Sequence, residues 1–559
     1  MQTTPSAQIG KFNALLEKSI KANWNEKALS DYQGSTLQYR DVARKIVKLH
    51  IIYEQAGIRP GDKIALCGRN GALWGCVFLS VITYGAVIVP IQNVFTTEQI
   101  THIVNHSDAR LLLADRNILK QLKFDDMPQL LGTGTLDELE LADSRSAALT
   151  EARQRLNEFF GQRYPKTFGA EDIRFHVDEP EETALINYTS GTTGFSKGVM
   201  LPYRSLWSNM DFLMEEIGSH LPSHAVILAF LPMAHMYGLT CDFLLQVCLG
   251  NHLYFLQRPP SPSIVQEAFA QLRPHLIVSV PLVLEKIVRQ EIMPIVKTRQ
   301  TQLLMRMPHI GNIIKRRLCQ RLKALLGGQF YEVIIGGASL STEVENLLRW
   351  MEFPLTVGYG MTETGPMISL CDHTLFVPQA CGLPAKHMEV RILSDDPEHI
   401  PGELVTRGAN LLTGYYKNPE ATAEAIDAEG WLHTGDLARM APSGHIFIVG
   451  RIKNMLLGSN GQNIYPEEIE DKLGSLLMVK EGIVLQKGQK LVALVVPDME
   501  QAESLGVQNT LDEVMRNNLR ELNALLPKYC HVSDIKLHDK EFERTSKGSI
   551  KRYLYKEQV

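Results

Sequence analysis

Short apolar, β-branched runs recur along this chain with longer helical stretches between them. They fall at Lys63–Cys67, Ala86–Ile91, Leu111–Ala114, Ala225–Leu231, His275–Val280 and Val333–Ile335. Strands covered on both faces read as nearly unbroken apolar runs, so this alternation restricts the chain to a layered, mixed α/β fold. At 559 residues there is room for about three or four structural units. From Arg391 to Gly450 the texture shifts to short segments broken by turns such as Pro401-Gly402 and Ser443-Gly444. A small β-rich subdomain over about 385–450 is expected there. The residues beyond Arg451 return to mixed strand and helix texture. The expected division is therefore a large N-terminal domain, 1–452, and a small α+β C-terminal domain, 453–559.

Composition narrows the partners. Lys and Arg number 57 against 62 Asp and Glu, a net charge of −5, so nucleic acid is not expected. The eight cysteines are scattered with no Cys-x-x-Cys pair, which argues against a zinc cluster or a disulfide framework and for a reducing compartment. Met1–Gly10 has no basic patch leading into an apolar core of a signal sequence. The longest apolar stretch, Val77–Ile91, is interrupted by Ser80, Thr83, Gly85 and Pro90 and falls short of the ~20 residues a bilayer requires. A soluble, cytoplasmic protein is expected.

The strongest chemical signal is Tyr188–Gly198, Tyr-Thr-Ser-Gly-Thr-Thr-Gly-Phe-Ser-Lys-Gly, directly after the apolar run Thr183–Asn187. Small residues let the backbone approach a ligand and present N–H groups to phosphate oxygens, while hydroxyls and a lysine add charge-assisted contacts. A flexible Ser/Thr/Gly turn is the plain alternative, disfavoured by three hydroxyl–glycine units and a lysine behind one buried strand. It is not a Walker loop, because Lys197 is followed by Gly198 and then Val-Met-Leu-Pro rather than by Ser or Thr and a helix.

This segment resembles the phosphate loop of the adenylate-forming superfamily, which includes acyl-CoA synthetases, luciferases and peptide-synthetase adenylation domains. Further matching segments follow in family order over nearly the whole chain. The resemblance implies ATP, Mg²⁺ and coenzyme A as co-substrate, with Thr189, Ser190, Gly191, Thr192, Thr193, Gly194 and Lys197 around the phosphates. Gly358-Tyr359-Gly360-Met361-Thr362-Glu363 resembles the adenine and magnesium segment. Tyr359 can stack on a purine, Thr362 can donate to a phosphate, and Glu363, with Thr189, offers hard oxygen to the metal. Gly336-Gly337-Ala338 resembles the turn whose bare backbone lies against adenine and acyl chain, and Thr342 with Glu345 suits a capping box on the helix that follows. Asp436, at the end of Trp431-Leu432-His433-Thr434-Gly435-Asp436, and Arg451 are the implied ribose contacts. His235 in Leu231-Pro232-Met233-Ala234-His235 is the implied gate to the substrate carboxylate, the alternative being a structural histidine. Lys453 resembles the pivot of a mobile C-terminal domain, and Gly461 the lining of the pantetheine tunnel.

One departure stands out. The family ends in a lysine that reaches the α-phosphate, and alignment on Thr545 and Gly548 puts Ser549 at that position. A hydroxyl cannot supply the counter-charge. In an extended chain Lys547 and Lys551 point to the same side as Ser549, and either can substitute. Pro281–Ile287 and the long insert before Gly336 resemble the long-chain fatty acyl-CoA synthetase branch. The implied reaction is activation of a long-chain acid to acyl-AMP and transfer to coenzyme A. Open alternatives are a carrier-protein thiol as acceptor, arrest at acyl-AMP, or a catalytically weakened nucleotide- or lipid-binding homologue. The insert carries Lys297, Arg299, Arg306, Lys315, Arg316, Arg317, Arg321 and Lys323 with no acid from Ile292 to Tyr331. Ile314, Leu318, Leu322 and Leu325 share one helical face. Segment 297–323 is thus a candidate for peripheral contact with an anionic membrane, against a helix docked on the body with its charges in solvent.

Overall fold

The computed structural model describes residues 9–189, 197–257, 262–457, 463–488, 490–499, 502–503, 510–544 and 550–559. The architecture is mixed α/β. An eight-stranded sheet runs in the order Gly414–Tyr415, Lys197–Pro202, Thr183–Thr189, Val87–Ile91, Lys63–Cys67, Ala109–Ala114, Gly132–Thr135, Leu141–Ser144. Its centre is parallel and its two ends are antiparallel. A four-stranded sheet joins Val226–Ala229, His252–Phe255, Lys27–Asp31 and Thr36–Gln38, and a parallel three-stranded sheet joins Ile277–Ser279, Val333–Ile335 and Leu355–Val357. The change of texture after Arg391 corresponds to an antiparallel sheet of Met388–Leu393, Gly402–Gly408, Leu432–Met440 and Ile446–Arg451.

The apolar stretch at Val77–Ile91 divides between two elements. Helix Ala72–Tyr84 is buried on nearly every side, and strand Val87–Ile91 is buried at all of its positions. Gly85 makes the joint at φ 87°, where a Cβ would also lie 2.8 Å from the His176 ring. Among the described residues, no helix is long and apolar enough to cross a membrane.

The C-terminal strands Val479–Lys487, Lys490–Pro497 and Val532–Leu537 form a sheet covered on both faces. Leu491, Ala493 and Val495 pack with Ile469, Leu473, Met515 and Leu522 on one side. Val492, Leu494 and Val496 pack with Phe542, Tyr555 and Val559 on the other. The period of two in the strand sorts the side chains in this way.

Two local readings are corrected. The capping box at Thr342 and Glu345 does not form, because Ser341 is the N-cap of helix Thr342–Trp350 and makes no side-chain cap. Asp471, from helix Pro466–Gly474, instead accepts the Thr342 N–H at 3.2 Å and the Thr342 hydroxyl at 2.6 Å. Glu345 is turned to the Gln379 N–H. A carboxylate from a distant element thus takes the orphan donors that the local pattern was expected to satisfy.

In the basic segment, Leu318 and Leu322 are buried and Ile314 and Leu325 pack on the large core, so the face expected to meet a membrane is docked on the body. Lys297, Lys315 and Arg321 pair with Glu343, Glu352 and Glu291. Leu303, Met307, Ile310 and Ile313 are the apolar side chains this segment leaves exposed.

Candidate active site

Strand Thr183–Thr189 carries the end of the glycine-rich loop into the molecule. Thr189 is buried at its tip and lies in register opposite Lys197, which begins the antiparallel return strand. The two ends of the loop are therefore held side by side. Ser190, Gly191, Thr192, Thr193 and Gly194 lie outside the described residues, as do Gly461, Lys547 and Ser549.

Strand Gly414–Tyr415 pairs with the return strand, Tyr415 opposite Val199. This places the Tyr415 ring under the Lys197 ammonium, 4.9 Å from its centroid. The Tyr415 hydroxyl donates to Glu363 Oε1 at 3.1 Å. Burial, then the Glu363 charge, push the Tyr415 hydroxyl above its ordinary range, so it stays a donor. One tyrosine thereby joins the candidate phosphate lysine to the candidate metal carboxylate.

Glu363 sits on a tight helical turn, Thr362–Thr364, that is pinned from several directions. Thr364 Oγ1 donates to Pro366 O, Asn209 Nδ2 donates to Thr364 O at 3.2 Å, and Thr240 Oγ1 donates to Gly365 O at 3.2 Å. Gly360 is required at the approach, since a Cβ there would lie 1.9 Å from the Pro366 carbonyl oxygen. Such over-determined backbone holds a functional side chain in place before ligand arrives.

A second cluster lies beside it. Asp436 and Arg451 are register partners on neighbouring strands, and Arg451 Nε approaches Asp436 Oδ1 to 2.8 Å. The Tyr359 hydroxyl donates to Asp436 Oδ2 at 2.6 Å, which fixes the ring's orientation. Burial raises Asp436 above the usual carboxylate range against the pull of Arg451. A carboxylate has about four lone-pair sites, so these two partners leave acceptor capacity for a diol.

The Gly336-Gly337-Ala338 turn ends strand Val333–Ile335. Gly336 is packed against Tyr237, where a Cβ would lie 2.9 Å from the ring, and Gly337 has φ 83°. The Tyr237 hydroxyl donates to Ile334 O at 3.0 Å. Gly358 N–H donates to Ile335 O at 2.8 Å, so the Gly336 and Tyr359 segments leave adjacent strands together. His235 is half-buried, with its backbone N–H bonded to Pro232 O. Its segment is held by Asn187 Nδ2 on Ala234 O at 2.9 Å and by Asn70 on both Leu231 and Met233. It runs into a π-helical stretch, Gly238–Leu244, a wide-turn form common at functional sites.

Lys551 is not brought to these clusters in this pose. Its ammonium pairs with Glu543 at 3.3 Å and its N–H bonds to Glu543 O.

A profile of the family described as AMP-binding enzyme matches residues 16–416, and one of the AMP-binding enzyme C-terminal domain matches residues 453–558. The chain belongs to the AMP-binding enzyme family. Similar proteins include the long-chain-fatty-acid–CoA ligase 1 of Homo sapiens, 27% identical over 86% of this chain and 73% of that protein. The peroxisomal long chain acyl-CoA synthetase 6 of Arabidopsis thaliana is 28% identical over 88% of this chain and 72% of its own. Among solved structures, ATP-bound MatB from Rhodopseudomonas palustris superposes with a TM-score of 0.75 at 21% identity, covering 98% of this chain and 99% of that one. The anthranilate CoA ligase AuaEII in complex with anthranoyl-AMP gives 0.76 at 17%, covering 100% and 99%. These two likenesses show the fold.

In this AMP-binding enzyme the sequence reading missed Tyr415, Asn187, Asn70 and Asp471. Tyr415 had a signal, a Gly-Tyr-Tyr run ahead of Asn418-Pro419, but nothing local ties it to Glu363. The two asparagines bond to backbone groups far away in sequence and carry no local pattern.

Proposed function

We propose that this AMP-binding enzyme activates a carboxylic acid with ATP to an acyl-AMP and transfers the acyl group to coenzyme A. The observation that carries the proposal is the linked set Lys197–Tyr415–Glu363, with Tyr359–Asp436–Arg451 beside it. The first set is a cation and a carboxylate at the ends of a glycine-rich loop and a pinned turn. The second is a buried carboxylate with spare acceptor capacity under an aromatic ring.

In the first step the acid's carboxylate oxygen attacks the α-phosphorus in line. The α-to-β phosphoanhydride bond breaks and pyrophosphate leaves with its electron pair. Two anions meet here, so positioning and preformed positive charge supply most of the barrier reduction. Lys197 faces the phosphates, Asp436 and Arg451 hold the ribose hydroxyls, and Tyr359 covers the adenine face opposite the bare backbone of Gly336-Gly337-Ala338. Thr362 donates to phosphate and His235 borders the incoming carboxylate. Glu363, with one oxygen already engaged by Tyr415, has a remaining oxygen suited to magnesium, with Thr189 as a second hard donor. Magnesium bound there neutralises charge on the phosphate oxygens. In the second step a thiolate attacks the acyl carbon and AMP leaves, with no protein nucleophile required.

The acid is proposed to be a long-chain fatty acid. The names of the curated relatives support this, and so does the resemblance at Pro281–Ile287. The chain is proposed to divide into 1–452 and 453–559 at the pivot Lys453, with Gly461 on the thiol's route and Lys547 or Lys551 standing in for the lysine absent at Ser549. A second reading, a weakened nucleotide-binding homologue, is favoured by one observation, the engagement of Lys551 with Glu543. Single-turnover adenylation by Lys547→Ala and Lys551→Ala separates the two readings. Loss in one variant, with acyl transfer from supplied acyl-AMP intact, supports the substitute-lysine reading. A basal rate at background supports the second. Membrane contact is proposed through exposed Leu303, Met307, Ile310 and Ile313 among Arg299, Arg306, Arg316 and Arg317.

A further inference from the structure

Strand Val333–Ile335 has chemistry at both ends. Its carboxyl end leads into Gly336-Gly337-Ala338; its amino end carries Glu332, which is fully buried. Glu332 and Gly336 are four residue steps apart along the strand, about 13 Å, so the two ends are distinct places.

At the amino end Glu332 meets Asp372 and His373, which follow strand Met367–Leu370. One ligand atom from each of the three lies within 4.8 Å of the others. His373 Nδ1 is 3.5 Å from Glu332 Oε2 and 3.7 Å from Asp372 Oδ2, and His220 Nε2 is 3.8 Å from Asp372 Oδ2. Donors around a tetrahedral ion with bonds of about 2.0–2.1 Å stand roughly 3.3 Å apart. The two separations from His373 Nδ1 are close to that spacing.

One atom of the cluster has no partner at all. Glu332 Oε1 is buried without a hydrogen-bond partner, and His373 Nδ1 has only its 3.5 Å ion-pair contact with Glu332 Oε2. A carboxylate oxygen so placed, in a residue with no exposed surface, carries an unrelieved desolvation penalty unless something satisfies it. The remaining polar atoms are already oriented. The Tyr331 hydroxyl and the Thr374 hydroxyl donate to the two oxygens of Asp372, the Asp372 N–H donates to Glu216, and the His373 N–H donates to Glu332 Oε2 at 3.0 Å. The Tyr331 ring is sandwiched, with His220 stacked at 4.6 Å and His373 edge-on at 4.9 Å. Such partners are what hold metal ligands in their rotamers.

The geometry points to a metal site formed by Glu332, Asp372 and His373. Imidazole with carboxylate donors suits a first-row transition ion, Zn²⁺ foremost, whereas Mg²⁺ and Ca²⁺ take oxygen sets. His373 also lines an open cleft of about 630 Å³ with Lys315, Arg349, Trp350 and Phe376, which gives the ion an entry path. The ion fastens strand Val333–Ile335, through Glu332, to the Asp372–His373 segment that follows strand Met367–Leu370. It serves as a staple and takes no part in the chemistry.

The test uses the full chain, stripped with chelator and titrated with Zn²⁺ alone in a magnesium buffer without nucleotide. Calorimetry should give one equivalent with Kd at or below ~1 µM, and the melting temperature should rise with zinc. Glu332→Gln and Asp372→Asn keep the side-chain shapes, so both variants remain folded. Each should weaken zinc at least tenfold, and His373→Ala should abolish the stoichiometric phase. Co²⁺ should give a visible absorption band in the wild type that His373→Ala removes. Absence of a one-equivalent phase in the wild type, or equal zinc affinity in all variants, overturns the site. Glu332 and His373 are then a buried ion pair.

Discussion

Asp436→Asn separates nucleotide recognition from fold stability. The Asp436 side chain is 5% exposed and has Tyr359 Oη at 2.6 Å and Arg451 Nε at 2.8 Å. The amide is isosteric, and its remaining oxygen still accepts from Tyr359. The lost ion pair involves an Arg451 side chain that is 53% exposed, and pairs of that kind contribute only about 0–1 kcal/mol. Thermal stability should therefore change by no more than about 1 kcal/mol. Nucleotide binding should change far more. A hydrogen bond to a charged group contributes about 1.5–3 kcal/mol, and the amide loses one acceptor for the diol and weakens the other. A combined loss near 3 kcal/mol corresponds to roughly 10²-fold. The bond is the same in ground and transition states, so KM for ATP should rise while kcat is largely kept. The assay is acid-dependent ATP–pyrophosphate exchange with ATP and with 2′-deoxy-ATP. Wild type should discriminate against the deoxy nucleotide and Asp436→Asn should not. An unchanged KM for ATP, or equal discrimination in both proteins, refutes the ribose assignment.

Lys197→Ala and Glu363→Ala should each lower the exchange rate by about 10²–10³-fold, the cost of losing one preorganised charge, with circular dichroism unchanged. Tyr415→Phe should fall between these and wild type, because it removes the 3.1 Å bond to Glu363 but keeps the ring under Lys197. A rising magnesium requirement in that variant is the specific sign. Leu303→Glu with Ile313→Glu should abolish co-flotation with anionic vesicles and leave exchange on a soluble acid unchanged; equal flotation sinks the membrane contact.

Long-period patterns were readable in advance, and contacts between distant segments were not. The buried strands at Lys63–Cys67 and Val333–Ile335 stand where the apolar runs put them, because burial on both faces leaves a continuous signature. The antiparallel sheet after Met388 followed from its turn residues. The capping box at Thr342 failed because the pattern is local, while the real partner, Asp471, is 129 residues away. The same reason hid Tyr415, 52 residues from Glu363. The basic helix illustrates a different limit. Spacing identified the apolar face of Ile314, Leu318, Leu322 and Leu325, but a period of 3.6 does not say whether protein or lipid covers it. Here protein covers it.

The central claim is acid activation through acyl-AMP, and acid-dependent ATP–[³²P]pyrophosphate exchange measures it most directly. Run on the full chain across short, medium and long acids, the account predicts exchange that needs both acid and magnesium and is largest for long chains. Adding coenzyme A should produce the acyl thioester and AMP in equal amounts. Exchange at background with every acid, while the protein still binds ATP, would contradict the account and leave a nucleotide-binding homologue in its place.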